Sequence, residues 1–550
     1  MNAKTYIQVI VPLKLDWEPV YSVPEGLDPS VGDRVSVIFS GKEYLAVVSR
    51  TSAMPREGLR EDSVLPILDI EPSLPRITGL EMKFWRTMAQ YYLCTVGEVY
   101  KCVYFLDQKP PRKWTGKDRN AIGREPMLDA DKKKVFEDVL QVFSQKKTVL
   151  IEADDRLDIY MALAAESVKK GKSVLYLVPE VAFSDALDQR ISEFFPDVML
   201  YHSGLTPAKK RDVVLEARAG KPMIVLGTRS SIWIPFSNLG LVIVDYEQDP
   251  SFKQDSPAPR FVTRDSAILL ASLCGANVVL GSPSPSFESI YNSETGIFTR
   301  LKLNENLNIG NRPSSVVLDI ASERKKRAMA GSFSLKLIAH LKDAVDSGKK
   351  VLVVCPSKAA EEDCRKELDG IFPGTLDSLV FTVSPTGVKT IPDGLYSVIA
   401  ILLADVLLGR DDFRSDERAV QMFTVLRSKT ELLVIQTREP GHPVFTGESA
   451  FMLQERKVAG YPPYTRLVSV TMKDINEQRL TLRSRFLCNR LKEVLRPFSN
   501  PQILGPLNGE ISVFFKRDKN LTVGKKALYK EVTSFEQQYS CHIIIDVDPV

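Results

Sequence analysis

The stretch TVLIEADDRLDIYMAL, Thr148 to Leu163, sets a short apolar strand, an acidic turn and an amphipathic helix in succession. A strand running into a helix is the setting for phosphate-binding loops. Glycines there let backbone N–H groups close on phosphate oxygens, and a lysine neutralises them. Here the turn carries Glu152, Asp154 and Asp155, and it holds no glycine. Carboxylates repel a triphosphate, and without glycine the backbone cannot form the cradle. The turn therefore reads as acidic and solvated, capping the helix that follows.

Other clusters suit a polyanion. The segments KPPRKWTGK, ERKKR (Glu323 to Arg327) and FFKRDKNLTVGKK are basic, and the last interleaves Phe514 and Phe515 with Lys516, Arg517 and Lys519 on an expected hairpin. Cations neutralise phosphates and aromatic faces stack on bases, although charge runs are also common on plain solvated faces. His202 and Ser203 in YHSGL have no partnering nucleophile or metal cluster, which leaves them as a strand-end loop. The seven cysteines are scattered, no C-x-x-C pair occurs, and there are only four histidines. That spacing argues against structural zinc and against a disulfide framework, and for free thiols in a reducing compartment.

The elements that must hold these residues fall into blocks. With 550 residues, 44% of them hydrophobic and 26% charged, the chain has the makings of a multidomain globular protein. Its net charge of +4 permits nucleic acid contact without requiring it. Residues 1–105 carry short strand signals (YIQVIVPLKL, VYSVPEG, DRVSVIF, EYLAVVSR) and a closing helical stretch around Tyr91 and Tyr92. Residues 106–127 form a polar, basic linker. From 128 to 303, and again from 304 to 439, fully apolar runs alternate with helices, the pattern of a parallel sheet covered on both faces. Residues 440–550 mix strands and a helix. The expected fold is multidomain α/β: two parallel-sheet lobes flanked by a small β-rich N-terminal domain and an α+β C-terminal domain. No apolar run approaches the roughly 20 residues of a membrane span, and the start lacks a cleavable signal pattern, so a cytoplasmic location is expected.

A set of stretches in fixed order carries a resemblance: YLVPEVAFSDALDQRISEFFP, YHSGLTPAKKRDVVLEARAGKPMIVLGTRSSIWIPFSNLGLVIVDYEQDPSFKQ, PRFVTRD and VVLGSPSPSFES, with YSVPEG and YYLCTVGEV before them and DDFRSDERAVQ, ERKVAGYPPYTRLVSV and IIIDVDP after. Together they resemble the primosomal protein N′ (PriA) family of replication-restart helicases over most of the chain. The resemblance implies a 3′-end-binding domain, two helicase (RecA-like) lobes and a family-type C-terminal domain.

The departures are as informative. Against the family's G-x-T-G-S-G-K-T, Arg156 stands at the phosphate-binding lysine and Leu157 at the magnesium-binding hydroxyl, after Asp155. Against its D-E-E-H, Asp245 remains and Glu247 follows, but Tyr246 and Gln248 replace the second acid and the histidine. Of the arginine-bearing motif, Arg427 remains in MFTVLRSK. The zinc cysteines reduce to Cys355 and Cys364, and the winged-helix domain has no counterpart. In the implied 3′-end pocket, Tyr21 and Gly41 remain, while Val20 and Asp62 replace a polar and a basic residue. The loop SFKQDSPAPRFVTRD keeps Phe252, Lys253, Arg260, Phe261 and Arg264, the aromatic and basic residue types with which the family contacts single-stranded DNA. An Arg264–Asp265 ion pair holding that loop on the lobe is the alternative use of those residues.

The resemblance thus implies a binder of single-stranded or forked DNA in replication restart and primosome assembly, with vestigial nucleotide motifs and no catalytic residues, cofactor or zinc. Single-stranded-DNA-binding protein and the replicative helicase are the implied partners, and no membrane is. Two alternatives stay open. One is an atypical DNA-dependent ATPase and 3′–5′ helicase that uses ATP and magnesium through Asp245, Glu247 and Arg427. The other is a protein-interaction module without DNA binding.

Overall fold

The computed structural model describes residues 5–54, 63–104, 123–180, 185–303, 314–391, 395–408, 412–445 and 449–549. Four principal sheets follow one another along the chain. The first is antiparallel, in the order Val20–Ser22, Tyr6–Ile10, Lys42–Arg50, Arg34–Phe39, Asp69–Ile70. Its central hairpin turns at Ser40 and Gly41, whose φ values of 49° and 77° are both left-handed, the geometry that matches strand twist in a tight hairpin. A helix at Gly79–Tyr92 opens on a reciprocal capping box between Thr78 and Glu81, and a second helix runs over Val96–Tyr104.

The second sheet has seven strands, Phe298–Lys302, Thr148–Glu152, Asn277–Ser282, Leu239–Asp245, Ser173–Leu177, Ile224–Gly227 and Met199–Tyr201, every pair of them parallel. Alternate residues point to opposite faces. Val149, Ile151, Val174, Tyr176 and Ile243 meet the Ala130–Ser144 and Leu157–Lys169 helices on one side. Leu150, Leu175, Val242, Val244 and Leu280 face the other side, where they share one core with Trp85 and Tyr92 of the N-terminal helix and Val468 and Phe535 of the C-terminal domain. Both faces are covered, which is why these strands read as unbroken apolar runs.

The third sheet, Ser314–Asp319, Thr430–Thr437, Tyr396–Ile401, Val351–Val354, Val380–Val383, is also wholly parallel. The fourth is antiparallel, Gln502–Leu507, Glu510–Lys516, Thr465–Lys473, His542–Val547, and carries helices at Glu477–Leu495 and Leu521–Tyr539. The two-lobed α/β architecture with flanking β-rich and α+β domains is therefore the one the apolar runs imply. Four short or edge strands escape that reading, among them the hairpin Met329–Ala330 and Phe333–Ser334. Asp69–Ile70 is only two residues long, and Phe298–Lys302 is an edge strand whose FTRLK alternates charge with apolar residues.

Candidate functional site: a filled pocket and an open cleft

The strand Thr148–Glu152 delivers the acidic turn to the carboxyl end of the parallel sheet, beside the end of Leu239–Asp245. This is where α/β sheets place ligands. Arg156 does not face solvent there. It is 3% exposed and its guanidinium lies against Asp245, with Nη2 at 2.7 Å and Nε at 2.9 Å from Oδ1. The same guanidinium donates to the backbone carbonyls of Ala153 and Asp154, and its Cζ stacks 4.9 Å from the centroid of Tyr246. Tyr160 and Tyr176 donate their hydroxyls to the two carboxylate oxygens of Asp245, at 3.1 and 3.3 Å. Burial, reinforced by Asp245, pushes both phenols well above their ordinary pKa, so they stay protonated donors. Burial opposes the charge on Arg156, but Asp245 outweighs it and the guanidinium pKa is raised.

Two backbone features tighten the plug. Tyr246 sits at φ 51°, strained for a bulky residue, and its N–H donates to Asp245 Oδ1 at 3.1 Å. Gly281, on the neighbouring strand, faces Tyr160 so closely that a Cβ there would collide with the hydroxyl. The outer carboxylates are neutralised too: Lys132 reaches Asp155 at 2.6 Å and Asp158 at 2.8 Å, and Arg300 and Lys302 reach Glu152. The acidic turn does not cap its helix as the sequence suggests. Arg156 is the N-cap residue, without a side-chain capping bond, and Leu157 is buried in the core behind it.

This donor set does not fit a magnesium triphosphate. Carbonyls rather than N–H groups turn inward at Ala153 and Asp154, and the carboxylate that would hold a cation already holds Arg156. Glu247 is engaged as well, since its carboxylate accepts from Ser286 N at 2.7 Å and from Arg264 at 3.1 Å. Arg427 donates to Ser315 within its own lobe. Cys355 and Cys364 lie in the core of the second lobe, and no group of three or more metal-ligating side chains occurs among the described residues.

The aromatic and basic loop differs from its expected use. Phe252 and Phe261 are 1% and 0% exposed, and Phe261 packs edge-on against Trp233 and Tyr92, so neither ring can stack on a base in this arrangement. Lys253 is buried and spends its three protons on Asp546, Val547 O and Arg260 O, at 2.6, 2.9 and 2.9 Å. Arg264 is buried on Glu247, Ser286 and Asp265, the last at 2.8 Å, so the loop-holding ion pair is present. Arg260 alone of these five keeps partial exposure. Lys516 is exposed, and Arg517 stacks over Tyr291 at 5.3 Å. The hairpin turn lies earlier than expected, at Asn508 and Gly509, and Lys516 and Arg517 lead instead into the Leu521–Tyr539 helix. Asp62 and the KPPRKWTGK cluster fall outside the described residues.

A second opening lies in the N-terminal domain. A cleft of about 950 Å³ crosses the N-terminal sheet and is closed at the back by Tyr529 of the C-terminal domain. Tyr21 lies in its wall, 3% exposed, with its hydroxyl donated to Ile38 O at 2.9 Å; burial pushes its pKa up to about 12. Gly41 is next to this wall, at the tip of the adjoining hairpin. Sequence reasoning missed the other wall residues. Trp17 and Phe39 pair with ring centroids 6.2 Å apart, and Glu18 is held by Arg86 at 2.8 Å and by Ser49. Their signal was weak, because they are scattered over four separate segments.

A family model described as 3'DNA-binding domain (3'BD) matches residues 8–104, the segment that builds this cleft. Replication restart protein PriA of Rickettsia felis is 25% identical over 96% of this chain and 97% of its own length. Those of Rickettsia conorii and Bacillus subtilis are 24% and 23% identical, covering 98% and 93% of this chain and 99% and 77% of their own. The chain is similar to the PriA family over nearly its whole length. Arg156, which the sequence resemblance sets against the nucleotide lysine, is buried, and the N-terminal segment forms a cleft. Among the described residues, no helix is long and apolar enough to cross a membrane.

Proposed function

We propose that this protein binds DNA in replication restart, taking a 3′ end in the N-terminal cleft, and that it does so as a scaffold without ATP hydrolysis. The observation that carries the second half is the Arg156–Asp245 pair: an internal cation occupies the carboxylate that a magnesium nucleotide would need. The first half is supported by the matched 3′-DNA-binding domain and by the cleft's chemistry. Trp17 and Phe39 offer ring faces to a terminal base, Arg50 offers a cation to the adjoining phosphate, and the Glu18 carboxylate, held in place by Arg86, is an acceptor for a hydroxyl. Of the residues singled out in the sequence, Tyr21 lines this cleft, Gly41 turns the hairpin beside it, and Arg260, Lys516 and Arg517 remain accessible to phosphates. Phe252, Lys253, Phe261 and Arg264 position the loop instead. No cofactor or zinc takes part, the work is cytoplasmic, and the protein partners this role calls for are single-stranded-DNA-binding protein and the replicative helicase.

The test is binding of labelled forks and single strands, with free or blocked 3′ ends, across a salt series, with ATP turnover followed in the same samples. Salt-sensitive binding that prefers a free 3′ end, without turnover, is the expected result. DNA-stimulated turnover abolished by Asp245→Ala would restore a motor, and absence of binding would leave a protein-interaction role.

A further inference from the structure

The helix Phe287–Glu294 follows the last central strand of the first lobe, yet its apolar side chains lie in the core of the second. Phe287 and Ile290 pack with Leu352, Ile399, Phe423 and Phe445. The start of this helix is bonded from both lobes at once. Ser286 N donates to Glu247 of the first lobe at 2.7 Å, and Phe287 N donates to Glu417 of the second at 2.8 Å. One residue later, Glu288 meets Arg414 of the second lobe at 2.8 Å.

Arg456, on the helix Ser449–Ala459 that leads into the C-terminal domain, closes the joint. It is 5% exposed and lies between two rings, its Cζ 4.5 Å from the centroid of Phe287 and 5.2 Å from that of Phe413. Its Nη2 reaches Glu417 at 2.7 Å and Phe413 O at 3.0 Å. One guanidinium thus touches a ring of the first lobe, a ring and a carboxylate of the second, and, at Pro462 O, the start of the C-terminal domain. The stack and the carboxylate together use both the planarity and the charge of arginine. Tyr291 and Tyr464 extend the joint edge to face, 5.2 Å apart.

We infer that Arg456 and Glu417 fasten the Phe287–Glu294 helix as a fixed bridge, so that the two lobes keep one separation whatever ligand is present. In a motor, nucleotide sets the lobe separation; in this chain a buried charge cluster and a shared core set it. Arg456 is a positioning residue in that arrangement. The inference concerns the lobe pair alone and stands whether or not the cleft binds DNA.

It is tested on the full chain with a fluorophore pair carried on unnatural side chains at Lys170 and Lys366, whose side chains are 64% and 69% exposed on the two lobes. The wild type should give one narrow distance, unchanged by magnesium ATP or by a DNA fork. Arg456→Met should broaden that distance, and Arg456→Lys, which keeps charge but not the planar stack, should rescue it only in part. Should Arg456→Met fail to fold, Glu417→Gln decides through hydrogen exchange at the Phe287 amide, expected to quicken about tenfold. A wild-type distance that moves with ATP overturns the inference, as does unaltered distance in Arg456→Met or unaltered exchange in Glu417→Gln. DNA affinity and ATP turnover are read separately, so failure of the functional reading leaves a different record.

Discussion

The pocket at the end of the parallel sheet and the cleft in the N-terminal sheet both line up with places where the PriA family handles ligands, and they have gone opposite ways. The first is filled by the protein's own cation, three tyrosines and inward carbonyls around Asp245. The second is about 950 Å³ of open space with aromatic, cationic and carboxylate side chains at its wall. A buried carboxylate must be paired, and Asp245 is paired by a cation of the chain itself. A cleft whose charged groups are exposed or half-buried needs no such pairing and can stay open. Retention of space, more than retention of a motif, marks where a ligand still fits.

The comparison breaks most visibly at its filled end. Arg156→Ala leaves Asp245 buried without its guanidinium and should cost about 3–5 kcal/mol of stability, read as a lowered urea midpoint. Adding Asp245→Asn should recover part of that loss, and equal, additive losses would mean the pair is not coupled. At the open end, Trp17→Ala should weaken binding of a free 3′ end about 5- to 150-fold, the range set by roughly 1–3 kcal/mol per stacked base. An equal loss on a blocked 3′ end would detach the cleft from end recognition.

The back wall of the cleft supplies a pH test. Lys525 lies one helical stretch before Tyr529, and its ammonium donates to Tyr91 O at 2.6 Å and stacks over the Tyr91 ring at 4.8 Å. Burial first, then Arg466, lowers its pKa to about 7, against the partial counter-pull of Asp548. The folded state therefore binds fewer protons than the unfolded chain between about pH 7 and the ordinary lysine value. Stability should rise with pH through that window, by up to about 1.4 kcal/mol per pH unit, and the burial penalty is full below pH 7. Lys525→Met should flatten that slope; an unchanged slope would assign it to other groups. The smallest expected effect is at the exposed Lys516. Lys516→Ala should reduce DNA affinity a few-fold without sequence or end preference and lower the salt slope by about one.

Much of the fold was legible because a parallel sheet covered on both faces writes itself as apolar runs. All five strands of the second lobe's parallel sheet lie in such runs, as do six of the seven in the first. The exception, Phe298–Lys302, pairs on one side only and so carries charge. Half of the site was legible as well: a turn without glycine, bearing Asp154, Asp155 and Arg156, cannot cradle phosphate by its chemistry alone. What Arg156 does instead was not. Its partners Tyr160 and Asp245, and Tyr176 that bonds Asp245 in turn, come from a helix and two strands spread over ninety residues, and only the packing of the sheet brings them within hydrogen-bonding reach.

The same division holds for the whole protein. Residue types and local order determined the classes of element, the family resemblance and a strand–helix turn without glycine, because these depend on backbone freedom and periodicity within short windows. Tertiary structure decided which charges are free. Phe252, Lys253, Phe261 and Arg264 have the composition of a DNA-binding loop, but burial against the C-terminal strand and the Ser286 turn gives them partners of their own. A charge or a ring can meet a ligand only where the fold leaves it unpaired and in contact with water, and no local pattern of residues encodes that.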